Sequence, residues 1–268
     1  MSLWDVVAKL DGKEFVKRQI YNMAGTSANW DTPTDPTNVV ASAADPRYYD
    51  RQGIWYPAKA VPMGPSVDQG TAEHLRLLRL KPPRKRWVGV YYSQSGIVAY
   101  EVYEAIKGSD LDETLDAMLI FGPPCRAKGV ARGNEYAGWE MPHPNSRGIA
   151  DRHFPADEKR VYDFVRRGDM YAEVDDSDAG EDMTMVFNVV QDPKALVAGT
   201  DSALEQVTEI FTSPLKEIPS AAKAIWNGLT FLTAKNPQGQ VVPTYPHISY
   251  DPQPAIRLVN EIGEKWAA

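Results

Sequence analysis

The chain contains a single cysteine, Cys125, among 268 residues. One thiol excludes an internal disulfide and any cysteine-built zinc site. A basic excess is also missing: 29 Lys and Arg stand against 36 Asp and Glu, for a formal net charge of −7. Phosphate binding needs a basic face, so no nucleic-acid partner is expected. The one basic cluster, residues 81–86 (KPPRKR), is broken by Pro82 and Pro83 and leads into an apolar segment. It reads as a solvated strand entrance. No apolar run approaches the roughly 18 residues that a membrane-spanning helix needs, so no integral membrane segment is expected. The first residues carry Asp5 and Asp11 inside their apolar stretch and lack a small-residue cleavage site. A secretory signal is therefore not expected, and export would need another route. Histidine is scarce as well, with four in all, which makes the search for a histidine base short.

What is present is ordinary for a folded chain: 43% hydrophobic and 24% charged residues. The length suits one core carrying an insertion. Residues 3–10 suggest a short helix, and 15–23 (FVKRQIYNM) a strand ending in AGTSANW. Residues 29–58, rich in Pro, Asp and Tyr, read as a long loop with at most short helices. In 68–80, Ala72, Leu75 and Leu78 fall on one helical face. Residues 87–92 (WVGVYY) suit a buried parallel strand, and 95–107 a helix with Ile97, Val98, Val102 and Ile106 at helical spacing. A second buried strand is expected at 116–121, closed by Gly122, Pro123 and Pro124. Residues 157–167 read as a helix or strand leading to Gly168 and Asp169. This alternation predicts an α/β fold with a mostly parallel sheet and helices on both faces. Sites in such folds lie at the carboxyl ends of the strands. Residues 178–240 depart from the alternation, with helices expected at 201–212 and 218–234. They read as a helical insertion or lid in a domain made of 1–177 and 241–268, which ends in a helix over 252–266.

The strongest local signal for chemistry is VGVYYSQSGIVAYEVYEAI, residues 88–106. An apolar strand runs into Ser93 and straight on into a helix, which places the hydroxyl on a sharp turn above the sheet. There the helix N-terminus and the backbone N–H of Gln94 can stabilise an oxyanion. A serine so placed can equally be no more than the helix N-cap. The usual G-x-S-x-G pattern is not met, since Tyr91 and Ser95 occupy its glycine positions. Among possible bases, His74 sits within a helical pattern and is expected at the surface or partly packed. His143 and His153 lie in a loop-rich stretch and serve structure as readily as catalysis. His247, in PTYPHISY, follows every plausible strand, which fits the order serine, acid, histidine. Taken alone, a late histidine is more often structural. Asp169, after Gly168, stands where a strand-end loop is expected. Cys125 follows a strand but lacks a local base, and free cysteines commonly act as small buried apolar residues.

Several segments, taken in order, are similar to one family: YPAKAVPMGPSVDQG (56–70), YYSQSGIV (91–98), MLIFGPPCRAKG (118–129), NSRGIADR (145–152), GDMYA (168–172) and YPHISY (245–250). Together they resemble the phage lysin B family, cutinase-like mycolylarabinogalactan esterases of the α/β-hydrolase superfamily. The resemblance spans roughly residues 15 to 250 and rests on the ordered set, no single motif being specific. It implies Ser93 as nucleophile, Asp169 as acid and His247 as base, with no metal or organic cofactor. It also makes the stretch between acid and histidine a linker subdomain that shapes access for lipid. The family's first strand often ends in a His-Gly-Thr-Gly-like turn; this chain has Met23, Ala24, Gly25, Thr26 and Ser27 there. A second oxyanion donor beside Gln94 is then expected from that turn, at Gly25 and Thr26. The implied reaction is hydrolysis of the ester joining mycolic acids to arabinogalactan in a mycobacterial-type envelope, at the end of infection. The enzyme would be made in the infected cell and act at the envelope, or be carried in the virion. Two rivals stand beside this reading: a virion (tail) esterase for envelope lipids acting at entry, and a binding protein that reuses the esterase fold with weak turnover. The Tyr91 and Ser95 elbow favours the second.

Overall fold

In the computed structural model, the described residues are 16–59, 63–80, 85–178, 235–240 and 244–265, with Gly180, Glu181, Met183, Thr184 and Phe187. The strands are β1 (Arg18–Met23), β2 (Tyr49–Gly53), β3 (Trp87–Tyr92), β4 (Leu115–Phe121), β5 (Ser146–Arg147), β6 (Val161–Phe164) and β7 (Val174–Asp175). Five of them form one parallel sheet in the order β2-β1-β3-β4-β6, and β5 pairs with β7 in a small antiparallel ribbon.

The alternation of side chains along each strand builds two apolar layers. On one face, Tyr21, Trp87, Tyr91, Met118 and Ile120 pack with Val67 and Leu78 of α2 (Gly64–Leu80) and Ile97, Val98 and Val102 of α3 (Gln94–Ile106). On the other, Ile20, Val88, Val90, Leu119 and Phe121 pack with Val40 of α1 (Pro36–Ala43) and Leu258 and Val259 of α7 (Gln253–Glu264). Strands buried on both faces have no polar side to show, which is why β3 and β4 are nearly continuous apolar runs. Three short helices are α4 (Asp110–Glu113), α5 (Arg132–Ala137) and α6 (Tyr245–Ile248).

From β1 the chain steps outward to β2 and then returns past β1 to β3, β4 and β6. Because the direction of travel reverses, α1 and α2 fall on opposite faces, as right-handed crossovers require. The reversal opens a crevice at the carboxyl ends of β1 and β3, the place where ligands bind in open parallel sheets. β1 ends at Met23, β3 at Tyr92.

One expectation is corrected. The segment 29–58, read as a long loop with at most short helices, holds the short helix α1 but also the strand β2. The strand is an edge strand whose Asp50 and Arg51 are exposed, so it lacks an apolar run; the helix is announced only by Asp35 at its N-cap and Pro36 at its first position. Residues 157–167, read as a helix or strand, hold the four-residue strand β6. The helix expected over 252–266 spans Gln253–Glu264. The helices expected at 3–10, 201–212 and 218–234 lie outside the described residues, as does most of the 178–240 insertion; its described residues between 178 and 187 are helical. Among the described residues no helix is long and apolar enough to cross a membrane, and no cluster of His, Cys, Asp or Glu is arranged to hold a metal ion.

Candidate active site

Ser93 sits between β3 and α3 with φ 55 and ψ −119. Such a conformation costs a non-glycine residue on the order of 1–3 kcal/mol and persists only where its surroundings hold it. The surroundings do so here. The Ser93 N–H donates to the Phe121 carbonyl at 2.9 Å, and the Gly96 N–H donates to the Ser93 carbonyl at 2.8 Å. The Ser95 hydroxyl accepts the Tyr92 N–H at 2.8 Å and reaches the Met23 carbonyl at 2.7 Å, tying the elbow to the end of β1. Ser95 thus brackets the turn where the usual pattern has a glycine. Tyr91, at the other glycine position, turns back over its own strand. A Cβ on Gly89 would lie 2.3 Å from the Tyr91 hydroxyl, so the glycine the turn needs stands two residues earlier.

His247 on α6 and Asp169, after β6, meet this serine although 154 and 78 residues separate His247 from its two partners. His247 Nε2 lies 2.8 Å from Ser93 Oγ, and Nδ1 lies 3.0 and 2.9 Å from the two Asp169 oxygens. An ionised carboxylate only accepts hydrogen bonds, so it selects the tautomer with the proton on Nδ1. Nε2 is then left to accept the serine proton. Asp169 is fully buried, while Ser93 and His247 keep 7% and 8% of their surface exposed. The acid is held further by the Tyr171 N–H at 3.0 Å and the Tyr250 hydroxyl at 2.5 Å. The imidazole is fixed by its rings' company: Tyr92 stacks on it at 5.2 Å, and Tyr171 approaches at 4.5 Å. The Tyr92 hydroxyl also donates to the His247 carbonyl at 2.7 Å. Gly122, with φ +55 at the end of β4, leaves the space these groups occupy; a Cβ there would lie 2.8 Å from His247 Cε1 and 3.0 Å from Asp169 Oδ2.

Gln94 opens α3, and its side chain is turned away from the serine. Its amide donates to the Lys59 carbonyl at 2.7 Å and accepts from the Tyr56 hydroxyl at 3.2 Å. Only its backbone N–H is offered at the elbow. In the turn after β1, the Gly25 N–H donates to Asp35 at 3.2 Å and the Ser27 N–H to the Ala58 carbonyl at 2.8 Å. Of the two donors expected from this turn, the Gly25 N–H is therefore engaged by the protein itself. The Thr26 N–H has no protein acceptor among the described residues.

The other candidates fall away. His74 is fully buried among the rings of Tyr21, Trp87 and Tyr91, a correction to its expected partial exposure, and burial pushes its pKa down to about 3. His143 is exposed and accepts the Asn145 N–H through Nδ1. His153 leans on the Gly148 carbonyl, and burial lowers its pKa. Cys125 is fully buried, which pushes its thiol pKa up and away from the reactive thiolate. Sequence reasoning missed Gly122, Tyr92 and Tyr250. The first had a signal, a glycine closing a buried strand, whereas nothing local distinguishes the two tyrosines.

A parallel sheet of this order, with a serine at the strained turn after its central strand, is the α/β-hydrolase architecture, and the chain is a carboxylic ester hydrolase. No family model matches it. It is 30% identical over 222 residues to endolysin B of Mycobacterium phage L5, covering 77% of this chain and 84% of that relative. Identity to endolysin B of Mycobacterium phage D29 is 31% over 224 residues, with the same coverage of 77% and 84%. The fold superposes on the crystal structure of lysin B from mycobacteriophage D29 with a TM-score of 0.68 and 26% identity, covering 91% of this chain and 99% of that one. The chain belongs to the endolysin B family.

Proposed function

We propose that the chain is a serine esterase of phage lysis that cleaves the ester between mycolic acids and arabinogalactan in a mycobacterial-type envelope. The observation that supports the chemistry best is the unbroken chain from Ser93 Oγ to His247 Nε2 at 2.8 Å and from His247 Nδ1 to Asp169 at 2.9 Å. Ser93 Oγ attacks the ester carbonyl while its proton passes to His247 Nε2, and Asp169 stabilises the imidazolium that forms. The oxyanion is held by the backbone N–H groups of Gln94 and Thr26. His247 then gives the proton to the departing sugar hydroxyl, leaving an acyl-serine. A water, losing its proton to the same nitrogen, releases the fatty acid and restores Ser93. No step in this sequence draws on a metal or an organic cofactor. The reading as a non-catalytic binder rested on Tyr91 and Ser95, and both are accommodated by the elbow through Gly89 and the Met23 carbonyl. What supports this choice of substrate is the endolysin B relatives, which come from phages named for Mycobacterium.

A fluorophosphonate probe should label Ser93 alone, and Ser93→Ala should lower ester hydrolysis by about a thousandfold or more. Purified mycobacterial cell wall should release free mycolic acid with the wild-type protein and none with that variant. Labelling without mycolic acid release would remove the substrate while leaving the esterase; no labelling would remove both.

A further inference from the structure

Asp35 lies outside the triad, yet it is buried to 5% exposure. Its carboxylate is met by hydrogen-bond donors. One oxygen accepts the Thr37 N–H at 2.9 Å and the Thr37 hydroxyl at 2.6 Å, which makes Asp35 the N-cap of α1. The other oxygen accepts the Gly25 N–H, ten residues back, at 3.2 Å. A cap does not need that second oxygen, because serine and threonine cap helices with one.

The second bond falls on a telling peptide. The plane joining Ala24 to Gly25 is rigid, and both its polar ends are engaged: the Ala24 carbonyl accepts the Tyr56 hydroxyl at 2.9 Å, and the Gly25 N–H donates to Asp35. The preceding carbonyl, of Met23, is tied to Ser95 of the elbow at 2.7 Å. In the next plane the Gly25 carbonyl accepts the Ala28 N–H at 3.2 Å. A trans peptide then directs the Thr26 N–H to the opposite side, where, like the Ala24 N–H, it has no protein acceptor among the described residues. Gly25 itself abuts Tyr92, the residue before Ser93: a Cβ there would lie 2.8 Å from the Tyr92 ring. The clamped turn is thus packed against the elbow.

We propose that Asp35 is a positioning residue of the oxyanion turn, acting through the Gly25 N–H to fix the direction in which Thr26 presents its own. This rests on the esterase reading above. The carboxylate does two separable jobs, capping α1 and clamping the turn, and substitutions can divide them. Asp35→Ala removes both, so Tm should fall by about 2–4 °C, the scale of a lost cap in a chain of this size. Its kcat on a short soluble p-nitrophenyl ester should fall about 10- to 100-fold, short of the loss expected when a whole oxyanion donor is deleted. Asp35→Ser restores the cap but is too short to reach Gly25. In that variant Tm should recover while kcat stays low, with KM within about twofold, the pattern of an interaction made only in the transition state. Affinity for a boronic-acid inhibitor, which forms a tetrahedral adduct on the serine, should weaken in proportion to kcat. Asp35→Thr repeats the test should the serine variant fold poorly. Wild-type kcat in a capped variant, or kcat that rises in step with Tm from Ala to Ser, would overturn the proposal. A wild-type protein that neither takes the fluorophosphonate probe nor cleaves the ester would instead sink the esterase reading beneath it.

Discussion

Ser93 holds a backbone conformation that ordinary residues avoid, and the strain has a functional reason: it lifts the hydroxyl off the strand toward His247 at 2.8 Å. Two substitutions at this one position separate strain from chemistry. Alanine and glycine both remove the hydroxyl and its bond to the imidazole, so both should be inactive. Alanine keeps a Cβ at φ 55 and therefore keeps the strain; glycine is at ease there but gains freedom in the unfolded chain. Relief on the order of 1–3 kcal/mol against about 0.5–1 kcal/mol of added entropy leaves Ser93→Gly the more stable of the two. The difference expected is about 2–4 °C in Tm. Equal melting temperatures would mean that the turn relaxes around alanine and that no strain is stored there. The tyrosines beside the proposed triad act differently, through contact. Tyr250 adds a hydrogen bond to Asp169, and Tyr92 lends its ring and hydroxyl to His247.

At the scale of elements, the site is built where three strands end, and the glycine closing β4 shows how tightly. Gly122 combines φ +55 with a space that His247 and Asp169 already fill. Gly122→Ala should displace the imidazole and lower kcat by about a hundredfold, since small misplacements of catalytic groups cost that much. Circular dichroism should show the fold intact; near-wild-type turnover would show that α6 can shift without harm. The same element scale explains what the sequence made readable. β3 and β4 are buried on nearly every residue and α3 along most of its length, so their apolar patterns were plain, and Ser93 was placed by the abrupt passage from strand to helix. β2 escaped notice because its Asp50 and Arg51 face solvent at the sheet edge. Asp169 and His247 could be ranked from position but joined to Ser93 only through a family resemblance, because no local pattern encodes a meeting across 78 and 154 residues. The engagement of the Gly25 N–H was hidden for a similar reason: its partner, Asp35, lies in a segment that reads as loop.

Across the whole molecule, two buried titratable groups with no part in the proposed chemistry set opposing trends of stability with pH. Asp163 on β6 is 2% exposed, one of its oxygens has no partner among the described residues, and burial raises its pKa to about 7. Between the unfolded value of 3.8 and about 7, the folded protein keeps a proton that the unfolded chain has released. Its contribution is therefore complete below the unfolded pKa and is lost as pH rises through about 7. His74 runs the other way. Its pKa falls from 6.5 to about 3 in the fold, so the unfolded chain binds the extra proton, and stability grows as pH rises from about 3 to 6.5. In the wild type the two largely offset each other between pH 4 and 6.5, and Asp163 alone acts above that. Asp163→Asn keeps the shape of the protonated carboxyl and removes its titration. The melting temperature of that variant relative to wild type should be near zero at pH 4. It should climb steadily to about pH 7 and then flatten, reaching several degrees, the scale expected of 2–4 kcal/mol. The variant's own Tm should rise steeply on the acid side, where His74 is no longer opposed. A constant offset between the two proteins from pH 4 to 8 would mean that Asp163 is ionised in the fold throughout.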